Sequence, residues 1–344
     1  MANAAGYQSV FKQAVARGSI LILSALGLSA QSSVILGLPD PRITIALGQV
    51  TTLLVTGTPA TLPIGNGPAV VQASEVPLPT TLAGFSAVIN QGDYGNMYSL
   101  PIFRVKQEGV CEPPQQTPAC VLTSLTVQIP FDLILGAIPT GPSAVTIISV
   151  IADGQTILQT YYVLDPLKVH ILTACDTVSG YAPTTLSPCN PLITHADGTL
   201  VGPFSGASTV PAQPGETLTL YAWGLGRTQP EVPLGTASPA PPAIAVHHFT
   251  IILDYDCGVI QDVTPDFVGL TPGQVGLYQV NFKVPQPVAC TMFPNTQDPG
   301  SGGNLTLLSN DWVSSDTALL YVGANSLSSG SVLARAAWNS NPIE

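Results

Sequence analysis

At 344 residues the chain has room for about two domains of ordinary size, each long enough to bury its own core. Charged residues make up 8% and apolar residues 45%, the reverse of the low-hydrophobicity, high-charge balance of a disordered chain, so disorder is excluded. A net charge of −11 excludes nucleic acid and anionic membrane surfaces as electrostatic partners.

Residues 1–30 read as a secretory signal. Lys12 and Arg17 occur with no acid, an apolar run covers 19–28, and Leu28-Ser29-Ala30 offers a small-residue cleavage site before Gln31. The alternative is a buried first strand. The run is too short for a membrane span, which takes about 20 apolar residues, and no later segment qualifies. Cleavage would remove two of the nine basic residues and none of the twenty acids, leaving a more acidic chain.

Beyond the signal the chain reads as strands at 42–45, 51–56, 85–90, 122–129, 144–151 and 155–164, rich in Val, Ile, Thr, Leu and Tyr and bounded by Gly, Pro, Asn or Asp. Two Asp-Gly pairs, Asp153-Gly154 and Asp197-Gly198, predict tight hairpins with positive φ. The 32 glycines and 33 prolines serve as turn punctuation.

An internal repeat organises these strands. Residues 46–57 align with 213–224, each a Gly turn leading into an alternating strand that ends at a second Gly. In the same order, 83–89 align with 247–253, 122–130 with 275–285, and 144–164 with 304–322. Four matches in order indicate a duplicated domain. About seven short strands per copy, with turns at intervals of about ten residues, is the pattern of a sandwich. The sequence therefore predicts an all-β protein of tandem immunoglobulin-like β-sandwiches. The signal peptide is 1–30, the first sandwich 31–165, a disulfide-clipped linker 166–191, the second sandwich 192–324 and a C-terminal tail 325–344.

Six cysteines fall as Cys111 and Cys120, Cys175 and Cys189, Cys257 and Cys290. An even count in an exported chain points to disulfides, of which six cysteines allow fifteen pairings. Sequential pairing suits the two short spacings, which look like loops tied at the neck. A zinc site is disfavoured because no Cys-x2-Cys pair occurs.

The segments Pro214-Gly215-Glu216-Thr217, Gly224-Leu225-Gly226 and Gly276-Leu277-Tyr278-Gln279-Val280-Asn281 resemble an acidobacterial uncharacterised C-terminal Ig-like domain family of exported proteins. The second copy matches well over 192–322. The first shares Pro77-Leu78-Pro79-Thr80-Thr81-Leu82-Ala83-Gly84 but inserts the 111–120 loop. The resemblance implies the fold and export, and it transfers no catalytic residue.

A search for chemistry finds little. The four histidines, His170, His195, His247 and His248, lie in no nucleophile elbow, and cysteines held in disulfides cannot attack. His195 and Asp197 flank a hairpin tip, where Asp is used for turn geometry. His247 and His248 would point to opposite faces of a strand. Asp254, Asp256, Asp262 and Asp266 give only a fragment of a calcium loop. Paired carboxylates for glycoside hydrolysis would need a cleft between them. No cofactor or metal is expected. Among aromatics, Tyr221, Trp223, Trp312 and Trp338 are candidate platforms; Trp223 ends a core-type strand, whereas Trp338 lies with Leu333 in a tail segment, 331–338, able to dock on a neighbour. Trp312, Trp338 and Leu333 are the interface candidates.

The reading that results is a non-catalytic exported structural or adhesion module of the cell surface, with self-assembly into a fibre or lattice as a variant. So few charges on so much apolar sequence implies surface covered by a protein partner or a second copy. A carbohydrate-binding module is the alternative, and a hydrolase with an interdomain site is the third reading. Nucleic acid is not expected as a partner.

Overall fold

Alternation of apolar and polar residues decides which face of each strand turns inward, and the computed structural model follows it through two successive units. It describes residues 44–56, 58, 61–63, 68–91, 95–109, 120–134, 146–165, 167–173, 191–202, 209–255, 259–286, 304–311, 313–315 and 318–322. Every element named among them is a strand.

The first unit comprises β1 (Thr44–Ala46), β2 (Val50–Thr56), β3 (Ala69–Gln72), β4 (Thr81–Leu82), β5 (Phe85–Asn90), β6 (Met97–Ser99), β7 (Ile102–Gly109), β8 (Val121–Gln128), β9 (Thr146–Ala152) and β10 (Gln155–Asp165). One sheet runs β1-β10-β9-β5-β4, with β6 also on β5, and the other runs β2-β8-β7-β3. Both contribute to one core. Phe85, Ile89, Ile148 and Val150 of the first sheet are buried with Leu53, Val105, Leu125 and Val127 of the second, as two face-packed sheets require.

The second unit comprises β11 (His170–Ile171), β12 (Ile193–Thr194), β13 (Leu200–Val201), β14 (Thr209–Val210), β15 (Thr217–Trp223), β16 (Thr228–Gln229), β17 (Ile244–Ala245), β18 (Phe249–Tyr255), β19 (Val259–Val263), β20 (Phe267–Leu270), β21 (Tyr278–Lys283) and β22 (Leu305–Ser309). A sheet of order β14-β13-β12-β15-β21-β20-β17-β16, with β11 also on β15, faces one of order β19-β18-β22. Their common core holds Leu218, Leu220, Val280, Phe282, Ile251, Leu253 and Leu307.

The aligned repeat segments occupy equivalent places. β2 pairs with β8, and β15 with β21, both antiparallel and in the same register: Val50 faces Gln128 as Thr217 faces Lys283, and Leu53 faces Leu125 as Leu220 faces Val280. The turns leading in are built alike. Ala46 N–H donates to Gln49 Oε1 at 2.8 Å, and Gln213 N–H to Glu216 Oε1 at 2.6 Å. Ile129 N–H donates to Gln49 C=O and Val284 N–H to Glu216 C=O, both at 2.8 Å. The first strand of the first unit runs parallel to its last, Ile45 pairing with Leu164; in the second unit the segment just before β15 makes only an isolated parallel bridge, Ala212 to Val322, outside its named strands.

Two local findings refine the sequence reading. At the β9–β10 turn Asp153 and Gly154 both take positive φ, 49° and 79°, as a two-residue hairpin demands. At the second Asp-Gly pair only Gly198 does so, at 85°; Asp197 instead accepts from the Thr199 N–H and hydroxyl, a local turn made by the side chain. Leu167, Val169 and Ile171, within the stretch assigned to the linker, lie in the second core, because their period-2 spacing makes an inward strand face.

The Gly224-Leu225-Gly226 turn receives that incoming strand. Gly224 has φ of 75°, and a Cβ there would sit 2.0 Å from the Lys168 carbonyl oxygen, whose own N–H donates to Gly224 C=O. The Tyr278 hydroxyl, wholly buried, donates to the Gly226 carbonyl. Replacing Gly224 by Ala combines left-handed strain with a backbone clash, and the expected loss is about 2–4 kcal/mol. Urea unfolding measures it; a wild-type midpoint for Gly224→Ala would contradict this account of the turn.

Candidate functional site

β8 positions everything at the boundary between the units, since all eight of its residues are buried. Leu125 and Val127 face the first core. The opposite face, with Thr126 and Gln128, turns to the second unit, and Val50 and Phe103 beside it pack on Val275 together with Leu78, Trp223 and Ala237.

Several polar groups in this contact are bonded across it, as burial favours. Gln128 is 1% exposed and its Oε1 accepts the Gly235 N–H at 2.8 Å. Gly235 C=O accepts the Leu78 N–H at 2.8 Å, so one residue of the second unit is held through both its N–H and its C=O by the first. Farther along, Arg227 Nε donates to the Phe131 carbonyl at 3.0 Å.

Two cavities flank these ties. The smaller, about 170 Å³, lies between Glu75 and Gln274 over Phe103 and Trp223. The larger, about 380 Å³, is lined by Tyr98, Phe131 and Asp132 of the first unit and Arg227, Glu231 and Leu234 of the second. Burial, followed by the Asp132 charge and a hydrogen bond to that carboxylate, pushes the Tyr98 phenol above its ordinary value. Phe131 owes its seat to Gly48, where a Cβ would lie 1.9 Å from its ring.

The residues singled out from sequence are dispersed. His195 does not join Asp197 on a common ligand: its ring lies 3.2 Å from Glu216 Oε2 and 3.1 Å from the Val210 carbonyl, tying β14 to the turn before β15. Hydrogen bonds from Thr199 hold the Asp197 carboxyl below its usual range. His247 Nδ1 lies 2.7 Å from Asp311 Oδ2, and both His247 and His248 occupy the bend before β18 rather than the strand. Asp254, Asp262 and Asp266 are exposed, and Asp256 lies outside the described residues. Among the described residues no group of three His, Cys, Asp or Glu side chains could hold a metal ion.

Trp223 is half-buried, lines the smaller cavity and sits 6.0 Å from the His170 ring, tilted by 36°. Tyr221 packs near it with Leu172, Leu192 and Leu277. Cys120 is buried at the head of β8 and is not a free thiol. Cys111, Cys175, Cys189, Cys257, Cys290, Trp312, Trp338, Leu333, the 1–30 segment and the 325–344 tail lie outside the described residues. Thr173 and Pro191 bridge at the neck of the 175–189 segment, and Tyr255 faces Val259 around Cys257.

Sequence reasoning passed over Tyr98, Asp132, Arg227 and Glu231. The available signal was scarcity: in a chain with 8% charge, Phe131-Asp132 follows the Pro130 that ends one repeat strand, and Arg227 follows the Gly224-Leu225-Gly226 turn.

No family model and no curated protein matches the chain. Among solved structures, two of the plexin A4 full extracellular region are similar, one covering domains 1 to 8 and the other domains 1 to 10. Identities are 10% and 11%, covering 83% and 86% of this chain, with a TM-score of 0.17 in each case. The chain spans 26% and 22% of those chains, and at that TM-score they do not assign it a fold family. Among the described residues no helix is long and apolar enough to cross a membrane, which says nothing of a β-barrel.

The boundary makes its own forecast. Gln128→Ala leaves the Gly235 N–H without its acceptor, with an expected cost of about 1–3 kcal/mol. Limited proteolysis should then cut faster in the 233–241 segment. Unchanged cleavage there would show that the bond does not hold the units together.

Proposed function

We propose that the protein is a non-catalytic, exported structural or adhesion module built of two immunoglobulin-like sandwiches, acting at the cell surface through contacts between its sheet edges and other chains. In support of the sandwich reading, each unit has two sheets around one core, and in the first unit the opening strand runs parallel to the last. In support of export, Cys120 is not free and the segment 1–30 has the make-up of a signal peptide. Sequential disulfides, Cys111–Cys120, Cys175–Cys189 and Cys257–Cys290, belong to the same proposal.

One observation carries the association reading: exposed apolar side chains stand on outermost strands. Val70 on β3, Met97 on β6, Val210 on β14 and Ile260 on β19 are 51%, 68%, 47% and 66% exposed. Each of these strands ends its sheet among the described residues. An edge presents unpaired N–H and C=O groups, and natural proteins protect such edges with charge, particularly lysine. Here apolar residues stand instead, which favours strand addition and burial by a second chain.

Light scattering coupled to size exclusion tests this. Concentration-dependent mass growth is expected, and Met97→Lys with Ile260→Lys should suppress it while circular dichroism stays unchanged. A monomer at every concentration, or growth indifferent to both substitutions, would defeat the proposal.

A further inference from the structure

Most of this protein's surface is neutral, yet at the larger boundary cavity charges of both signs gather round two aromatic rings. Asp132, Arg227 and Glu231 line it with Tyr98 and Phe131. They come from a total of nine basic and twenty acidic residues in the whole chain. At about 380 Å³ the cavity falls within the range of about 300–1,000 Å³ common to small-molecule sites, which favour boundaries between domains. The neighbouring cavity, at about 170 Å³, falls short of that range.

The lining is anchored but not used up. Tyr98 stands beside the Asp132 carboxylate, which adds to burial in raising its phenol pKa. Arg227 spends its Nε on the Phe131 carbonyl, and its terminal nitrogens make no hydrogen bond to the described residues. Glu231 has no ion-pair or hydrogen-bond partner among them. Carboxylates accept only and a guanidinium donates only, so a ligand here must offer several donors and at least one acceptor. Aromatic rings add a requirement for an apolar face. A simple amine has no acceptor, a simple carboxylate no donors, and a hydrocarbon neither. A polyhydroxylated ring with a C–H face and a hydroxyl rim satisfies all of them.

We infer that this cavity binds a neutral pyranose ring, stacked on Tyr98 and Phe131, its hydroxyls donating to Asp132 and Glu231 and its oxygens accepting from Arg227. This goes beyond association through sheet edges, and either can fail alone, because sugar binding reads out in ligand signals and association in particle mass.

Saturation-transfer difference NMR on the full chain provides the test, with methyl β-D-glucopyranoside, methyl β-D-galactopyranoside and methyl α-D-mannopyranoside as probes and cyclohexanol and butylammonium as comparators. At least one pyranoside should receive saturation at millimolar concentration, strongest at its ring C–H groups. Glu231→Gln and Asp132→Asn, on exposed side chains, should each weaken binding by about tenfold through loss of a charged hydrogen bond. Tyr98→Ala should abolish it, while Glu75→Gln at the smaller cavity should leave it unchanged. No transfer to any of the three pyranosides overturns the inference. So does pyranoside binding indifferent to Glu231→Gln and Asp132→Asn, or binding of cyclohexanol or butylammonium with the same dependence on the variants.

Discussion

A strand buried on both faces constrains a protein more than any other element, because neither set of side chains can look to water. β8 is in that position, and four of its eight residues are Thr, Ser or Gln. Burying hydroxyls and amides without partners costs about 1–3 kcal/mol each, so the surroundings must supply bonds. Thr123 meets Thr58 and the Gln107 amide, and Thr126 meets Thr52. Gln107 in turn accepts the N–H groups of Thr61 and Leu62. Gln128 is satisfied from outside its own unit, its Oε1 accepting the Gly235 N–H. That bond, with the Leu78 to Gly235 and Arg227 to Phe131 bonds and the apolar contact of Val50 and Phe103 with Val275, holds the second unit against the first.

The two halves share a ladder and a turn, and they differ at the boundary. In the first copy Pro130 is followed by Phe131 and Asp132, which reach the second unit. In the second, Pro285 is followed by Gln286, whose amide nitrogen would lie 3.0 Å from a Cβ placed on Gly215. The second copy also gains β11 to β14 ahead of its repeated strands. They extend the sheet past β15.

Period-2 patterning made the strands legible in the sequence, with 85–90 recovered to the residue as β5. The β9–β10 hairpin was legible for the same reason, since Asp-Gly between two apolar runs has few other uses. Asp197-Gly198 looked identical but folds differently, because Thr199 supplies the Asp197 carboxylate with two local donors. The alternation of Leu167, Val169 and Ile171 was readable in principle; Pro166 and two intervening polar residues masked it. The boundary cavity was not legible at all. Asp132 and Arg227 lie 95 residues apart in sequence and meet only through tertiary packing, so no spacing rule could join them.

The first unit closes by laying its opening strand alongside its final one in the same direction, Ile45 beside Leu164. Tension drawn through the two ends of such a unit slides these strands past each other, so the bonds between them share the load and rupture together instead of unzipping singly. The first unit thereby carries a mechanical clamp at its ends, strongest along the direction that draws Ile45 and Leu164 lengthwise past each other.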